Sequence, residues 1–209
     1  LATIMLATAL ANVASVCLFP QIVVLSAEFG RPVNEIVWTL VAFSIIATGV
    51  GGVAAALGAV VGNRRMLLAV LVLLLVGSLV AALSTNLALL IVARVIQGVG
   101  MAIQALAIGI VAAYWRGEGM RRAMSMVVVG IGLGAVAGFL LSGFVWRGGG
   151  DWRTVFWVLT GASAVDLVLT FRFLKETPRK KGVRIDYVGC VGLIVWSAPL
   201  LLALSQANA

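Results

Sequence analysis

The sequence predicts an all-α protein that crosses a membrane several times. Three observations carry this. The chain is 63% hydrophobic and 11% charged, against about half and about a quarter in a soluble domain. Its mean hydropathy is +1.17. Its apolar residues also fall in runs long enough to cross roughly 30 Å of hydrocarbon, which takes about 20 helical residues. Only helices and closed barrels satisfy their own backbone in lipid, and continuous apolar runs argue for helices.

Seven spans are read in chain order. Span 1, Leu1–Leu25, carries Asn12 and Ser15 on one face and then Pro20. Proline frees a carbonyl and predicts a kink. Asn12 either lines a cavity or bonds to a neighbouring helix. The span is too long for a signal-peptide core and lacks a basic start. Span 2, Ile36–Gly62, bears the mild polar pair Ser44 and Thr48, and its glycines Gly58 and Gly62 offer a close-packing surface. The turn Gly62-Asn63-Arg64-Arg65 leads into span 3, Met66–Ser84. Its basic residues are sufficiently explained as a topology signal.

Span 4, Leu87–Trp115, contains the run Arg94-Val95-Ile96-Gln97-Gly98-Val99-Gly100. A permanent charge inside a span costs at least a few kcal/mol and demands a partner or a watery cavity. Positions 94, 97, 101, 104 and 108 follow helical spacing. They read Arg94, Gln97, Met101, Gln104 and Ile108, a polar stripe interrupted by a flexible thioether. Arg94 lies about 10 Å from the outer end at 1.5 Å per residue, a depth at which snorkelling is hard. Two readings fit: a cavity-facing cation that binds an anion or senses a carboxylate, or a structural charge clamped by carbonyls.

Span 5, Ala123–Trp146, spaces Gly130, Gly134, Gly138 and Ser142 four apart. Such small residues form a groove for another backbone. The groove serves either a sliding contact between moving halves or static packing. Span 6, Thr154–Leu174, holds Asp166, the one acid well inside a span, on a small polar face with Ala162, Ser163 and Thr170. That face packs against protein, because an ionised carboxylate facing lipid is expensive. Asp166 is read either as a proton site or as a structural hydrogen-bond donor. A basic connector, 175–186, broken by Pro178, precedes span 7, Tyr187–Leu204. The expected organisation is a six-helix bundle over 1–174, the connector, and a further helix over 187–209. The chain does not begin with Met and stops soon after span 7, so a fragment of a longer protein is expected.

The net charge of +8 is unevenly distributed. With the N-terminus cytoplasmic, the inner side collects Arg64, Arg65, Arg116, Arg121, Arg122, Arg172, Lys175, Arg179, Lys180, Lys181 and Arg184, and the outer loops only Arg31, Arg147 and Arg153. This positive-inside bias sets the orientation. It makes anionic lipid, rather than nucleic acid, the expected partner of these charges. Trp38, Trp146 and Trp152 fall near the outer interface and Trp115 near the inner one. The chain has no His, which removes Ser-His-Asp and Cys-His catalysis and most familiar zinc sites. Cys17 and Cys190 lack metal-ligand spacing. No catalytic residue, cofactor or metal is expected, and an enzyme is not. Six spans divide into two triplets that enter from opposite sides, which suits an inverted repeat.

With these residues in view, the chain resembles the major facilitator superfamily, and more narrowly its fourteen-helix drug:proton antiporter branch. Arg94-Val95-Ile96-Gln97-Gly98-Val99-Gly100 is similar to the family's Arg-x-x-Gln-Gly-x-Gly pattern. Gly130 to Gly138 resembles the antiporter motif, with Ala135 where the family usually has Pro. Leu57, Gly62 and Arg64 fit the helix 2–3 signature, while Ala55, Ala59 and Val60 replace its first Gly, its Asp and its Arg. Ala11 falls where this branch often has an acid. Span 7 resembles the branch's extra linker helix.

The resemblance implies the N-terminal half of a secondary transporter in a plasma or bacterial inner membrane. It implies export of hydrophobic or amphipathic compounds by alternating access, driven by a proton gradient, with a C-terminal half as partner. Arg94, Gln97, Met101, Gln104, Asn12, Ser15 and Ser44 are the expected cavity residues, and Asp166 the expected proton carrier. Gly58, Gly62, Arg64, Arg65, Gly98, Gly130, Gly134 and Gly138 are expected to pack or gate. The alternative is a non-transporting sensor or assembly scaffold, consistent with the altered helix 2–3 signature and the missing acid in span 1.

Overall fold

The computed structural model describes residues 1–177 and, beyond them, Gly192. The predicted span 7 and nearly all of the connector lie outside the described residues. Six helical spans of membrane length are present among the described residues. Span 1 comprises α1 (Ala2–Val16) and α2 (Ile22–Phe29), joined by a 3-10 turn over Phe19–Gln21. Span 2 is α3 (Val33–Val61) and span 3 is α4 (Asn63–Ala82). Span 4 comprises α5 (Leu87–Gly98) and α6 (Ala102–Tyr114) around a 3-10 turn over Val99–Met101. Span 5 is α7 (Gly117–Arg147) and span 6 is α8 (Arg153–Phe173).

Local chemistry explains the breaks and ends. Pro20 has no N–H for an α-helical bond, and the chain tightens so that Gln21 N–H donates to Leu18 O at 3.0 Å. Gly30 closes α2 in the left-handed conformation (φ 58°), a common helix stop. Asn86 caps α5, its side-chain oxygen accepting Leu89 N–H at 2.8 Å. Helix α7 begins at Gly117 rather than at Ala123, where hydropathy placed the start of the span. Its first turns lie among charges, with Glu118 pairing to Arg121 at 2.9 Å. Hydropathy marks the hydrocarbon, and the helix runs on past it.

The spans pack as two interlocked triplets. Span 1 packs chiefly on span 5 and span 2 on span 4; span 6 packs chiefly on span 3 and less on span 1, and span 3 packs on span 4 as well as on span 6. Exchanging 1 with 4, 2 with 5 and 3 with 6 maps this pattern onto itself. The two interrupted spans, 1 and 4, exchange with each other. Successive spans run antiparallel through short turns, so the repeat is inverted, as expected.

Two apolar clusters fill the interior. One holds Ile4, Leu67, Leu71, Ile103, Leu106 and Ile110. The other, towards the opposite end, holds Leu25, Ile36, Leu90, Trp152 and Phe156. Trp152 differs from the expectation of an interfacial belt. It is 2% exposed and sits edge-on to Phe29 and Phe156, each at 5.9 Å between ring centres. Helix α8 starts at the next residue and carries the ring inward. Arg153 closes the same end. It donates to Glu28 at 2.9 Å and to Ser84 O at 3.1 Å, tying span 6 to span 1 and to the end of span 3.

Candidate functional site

Arg94 lies where the two apolar clusters meet. Ala14 belongs to one cluster and Cys17 to the other; Ala102 and Ala93 divide in the same way. Between them runs a polar layer. Arg94 Nη1 donates to Ala14 O on α1 at 2.7 Å and to Gln97 Oε1 at 2.8 Å. Gln97 Nε2 donates to Ser78 Oγ on α4 at 2.9 Å, and Ser78 donates on to Leu74 O at 2.7 Å. The guanidinium also stacks over the Phe43 ring of α3, 4.2 Å from its centre, a favourable cation–π geometry. One side chain therefore joins spans 1, 2 and 4, and through Gln97 it reaches span 3.

This placement corrects the expectation of a cavity-facing cation. Arg94 and Gln97 are fully buried within the bundle itself. The predicted stripe is split: residues 94 and 97 are buried, Met101 and Gln104 half-buried, and Ile108 52% exposed. The cause is the 3-10 turn over Val99–Met101. A 3-10 segment turns about 20° more per residue than an α-helix, so three residues rotate the remainder of the span by about 60°. Among the described residues Arg94 makes no ion pair, and its Nε and Nη2 have no hydrogen-bond partner.

The other expected cavity residues divide. Asn12 is buried, its amide donating back to Thr8 O at 2.8 Å. Ser15 and Ser44 are half-buried, and their hydroxyls donate to Asn12 O and Leu40 O on their own helices. Met101, Gln104, Ser15 and Ser44 therefore remain near the surface, apart from Arg94. A cleft of about 630 Å³ opens at the Trp152 end between Phe29, Glu35, Asn86 and Ile91. It includes none of the expected residues.

The glycine groove of α7 receives span 1. A side chain at Gly134 would meet the Ala9 backbone, with its Cα at 2.6 Å, and one at Gly130 would meet Met5 O at 2.8 Å. Gly138 faces Val13 and Val16. Ser142 continues the groove and donates to Cys17 O at 2.7 Å. The groove is thus a contact inside the bundle, between spans 1 and 5. Gly98 plays the same part on span 4, where an added Cβ would meet Phe43 O at 2.7 Å.

Three comparisons bear on this architecture. The sequence signature described as Major Facilitator Superfamily matches residues 4–208.

The chain belongs to the major facilitator superfamily.

An uncharacterized MFS-type transporter of Mycobacterium tuberculosis is 29% identical over 89% of this chain and 27% of its own length. A lincomycin resistance protein of Streptomyces lincolnensis is 30% identical over 84% of this chain and 36% of its own. The chain thus spans about a third of the length of these relatives. The crystal structure of the human organic anion transporter MFSD10 superposes with a TM-score of 0.72 at 20% identity, covering 94% of this chain and 53% of that one. That likeness is one of fold.

Family membership sharpens the basic end of the bundle. The superfamily's helix 2–3 signature has an Asp where this chain has Ala59, and here a different acid serves the turn. Glu176, just past span 6, accepts the backbone N–H of Arg64 at 3.2 Å and pairs with Arg65 Nε at 3.4 Å. Thr177 Oγ1 accepts the N–H of Asn63 at 3.0 Å. Both donors lie in the first turn of α4, where a helix leaves N–H groups free. Arg64 Nη2 donates to Phe171 O at 2.6 Å, and Tyr114 Oη donates to Lys175 O at 2.8 Å. Gly62, with φ at 115°, faces the Glu176 carboxylate, and a Cβ there would collide with it. A Cβ on Gly58 would meet Leu106 Cδ2 at 2.7 Å. Arg64, Arg65 and the glycines stand out in the sequence, but their partner does not. Glu176 lies more than a hundred residues away, with no local signal beyond its place at the end of a span.

Asp166 stands apart from all of this. It is fully buried on α8, and neither carboxylate oxygen has a hydrogen-bond partner. It forms no ion pair with Arg94 or with any other described cation.

Proposed function

We propose that this chain is the N-terminal half of a proton-coupled exporter of hydrophobic or amphipathic small molecules, working by alternating access. The observation that carries the reading is the Arg94 layer, which joins spans 1 and 4 beside the turn that interrupts each of them. A buried guanidinium with no counter-ion is costly to hold. Its two free donors give it bonds to make in another arrangement. Helical breaks on both sides supply points at which the spans bend. Such an element, stable in one packing and short of partners in it, suits a bundle that alternates between two arrangements.

The half-buried Met101, Gln104, Ser15 and Ser44 are the side chains of this bundle best placed to meet cargo in a cavity shared with a second bundle. The relative named for lincomycin resistance supports a drug-sized cargo. The inner membrane side is the basic end, where Arg64, Arg65, Arg121, Arg122 and Lys175 meet anionic lipid.

The test is dye efflux from cells expressing the full-length protein. Cells loaded with an amphipathic fluorescent cation should lose it faster than vector controls, and a protonophore should abolish the difference. Equal loss in both, at confirmed membrane abundance, supports the sensor or scaffold reading instead.

A further inference from the structure

Helix α8 carries a stripe of buried oxygens that no part of the bundle satisfies. Ser163, Asp166 and Thr170 stand three and four residues apart, on one helical face. All three are fully buried. Ser163 Oγ, both Asp166 oxygens and Thr170 Oγ1 have no hydrogen-bond partner.

The two hydroxyls are the informative part. A serine or threonine inside a helix usually donates back to a carbonyl one turn earlier. Thr8, Ser15, Thr39, Ser44, Ser78 and Thr160 all do so here. Ser163 and Thr170 do not, and they flank Asp166, which among the described residues is the one acid well away from the ends of a span. Buried oxygens without partners cost free energy unless something binds them. An ionised carboxylate without a compensating charge costs far more.

No protein group among the described residues provides that compensation. Helix α8 packs on α4 and α1 and lightly on α7. Helix α1 bears no charged side chain, and those of α4 and α7 (Arg64, Arg65, Glu118, Arg121, Arg122 and Arg147) lie at the helix ends. Arg64 is committed to Phe171 O, Arg65 to Glu176, and Glu118 to Arg121 and Arg122. The ligand set is therefore one carboxylate and two hydroxyls, all hard oxygens, with one negative charge. It suits a single positive charge that prefers oxygen.

We propose that Ser163, Asp166 and Thr170 form a binding site for one monovalent coupling cation, either a proton or Na+. The site lies between spans 6, 3 and 1, away from the Arg94 layer. Its occupancy neutralises Asp166 and lets span 6 stay packed on span 3; an empty site favours their separation. The coupling role rests on the transporter reading, whereas the binding site does not.

The full-length protein, purified in detergent, tests the site by its thermal unfolding midpoint. NaCl is titrated against choline chloride at fixed pH. Separately, pH is varied in sodium-free buffer. The midpoint should rise with Na+ if that is the ion, or with acidification alone if the ion is the proton. Asp166→Asn should be flat to both, while Glu118→Gln keeps the wild-type response. An Asp166→Asn protein with the wild-type response, or a wild type that responds to neither ion, overturns the site.

If Asp166→Asn does not fold, the double variant Ser163→Ala/Thr170→Val decides. It keeps the carboxyl and should need roughly tenfold more ion for half the response, as expected for lost bonds to a charged group. An unshifted response overturns the site. Cation response without dye flux would remove the transport reading and keep the site. Flux whose cation dependence is unaltered in Asp166→Asn would do the reverse.

Discussion

The Arg94 guanidinium donates to the carbonyl oxygen of Ala14 at 2.7 Å, fastening span 4 to span 1 between the two apolar clusters. Arg94→Ala removes this bond, the bond to Gln97 and the stack on Phe43 together. Transport by the full-length protein should fall to background, with membrane abundance near normal. The purified protein should lose about 2 kcal/mol of stability, as for a buried hydrogen bond to a charged group. Arg94→Lys keeps the charge but not the planar fork, and should fall between. Wild-type flux in Arg94→Ala would take this residue out of the mechanism.

Phe43 supports the same cation from span 2. Phe43→Leu should cost roughly 1 kcal/mol when Arg94 is present and much less in Arg94→Ala, because a double-mutant cycle isolates the cation–π contact. Thermal unfolding of the four proteins measures the coupling. Strict additivity would show that the stack contributes nothing.

Gly134 and Gly132 make a matched pair on α7. A Cβ at 134 meets the Ala9 backbone, whereas one at 132 meets nothing within 4 Å. Gly134→Ala should destabilise by about 1–3 kcal/mol through overpacking. Gly132→Ala should be neutral or stabilising by up to about 1 kcal/mol, since alanine favours the helix. Equal effects would rule out the close approach of span 1.

Glu176 caps the first turn of α4 from the end of span 6. Glu176→Ala should speed amide exchange at Arg64 and Arg65 by roughly fivefold, the effect of losing a helix cap worth about 1 kcal/mol. Glu176→Gln should do less, because the amide oxygen still accepts from the backbone. The ion pair with the exposed Arg65 adds little, so Arg65→Ala should leave exchange at Arg64 nearly unchanged. Hydrogen exchange with mass spectrometry reads all three.

Much of the fold was legible in one dimension. Hydropathy placed the six described spans, missing chiefly the charged start of α7 at Gly117, because hydrocarbon thickness leaves a strong mark on composition. Pro20 announced the break in span 1, since a missing N–H is a local fact. The break in span 4 had no such marker, and it is what turned Arg94 and Gln97 away from Met101 and Gln104. Extending one helical period across Val99–Met101 drew a continuous stripe that the chain does not make. Glu176, Ser78 and Ala14 were silent for another reason. Their roles are made by tertiary contact, and nothing near them in sequence names the partner. Asp166 was legible as an oddity, but the unpartnered hydroxyls beside it appear only once the helices are packed.

A bundle that moves a small molecule at the expense of a proton gradient must do so without any other energy source. The decisive experiment uses the full-length protein reconstituted in liposomes, with an imposed pH gradient alone and an amphipathic fluorescent cation as probe. Dye should accumulate against its own gradient while the pH gradient lasts, and Arg94→Ala liposomes should behave like protein-free ones. A dye distribution in wild-type liposomes that matches protein-free liposomes would refute proton-driven transport by this protein.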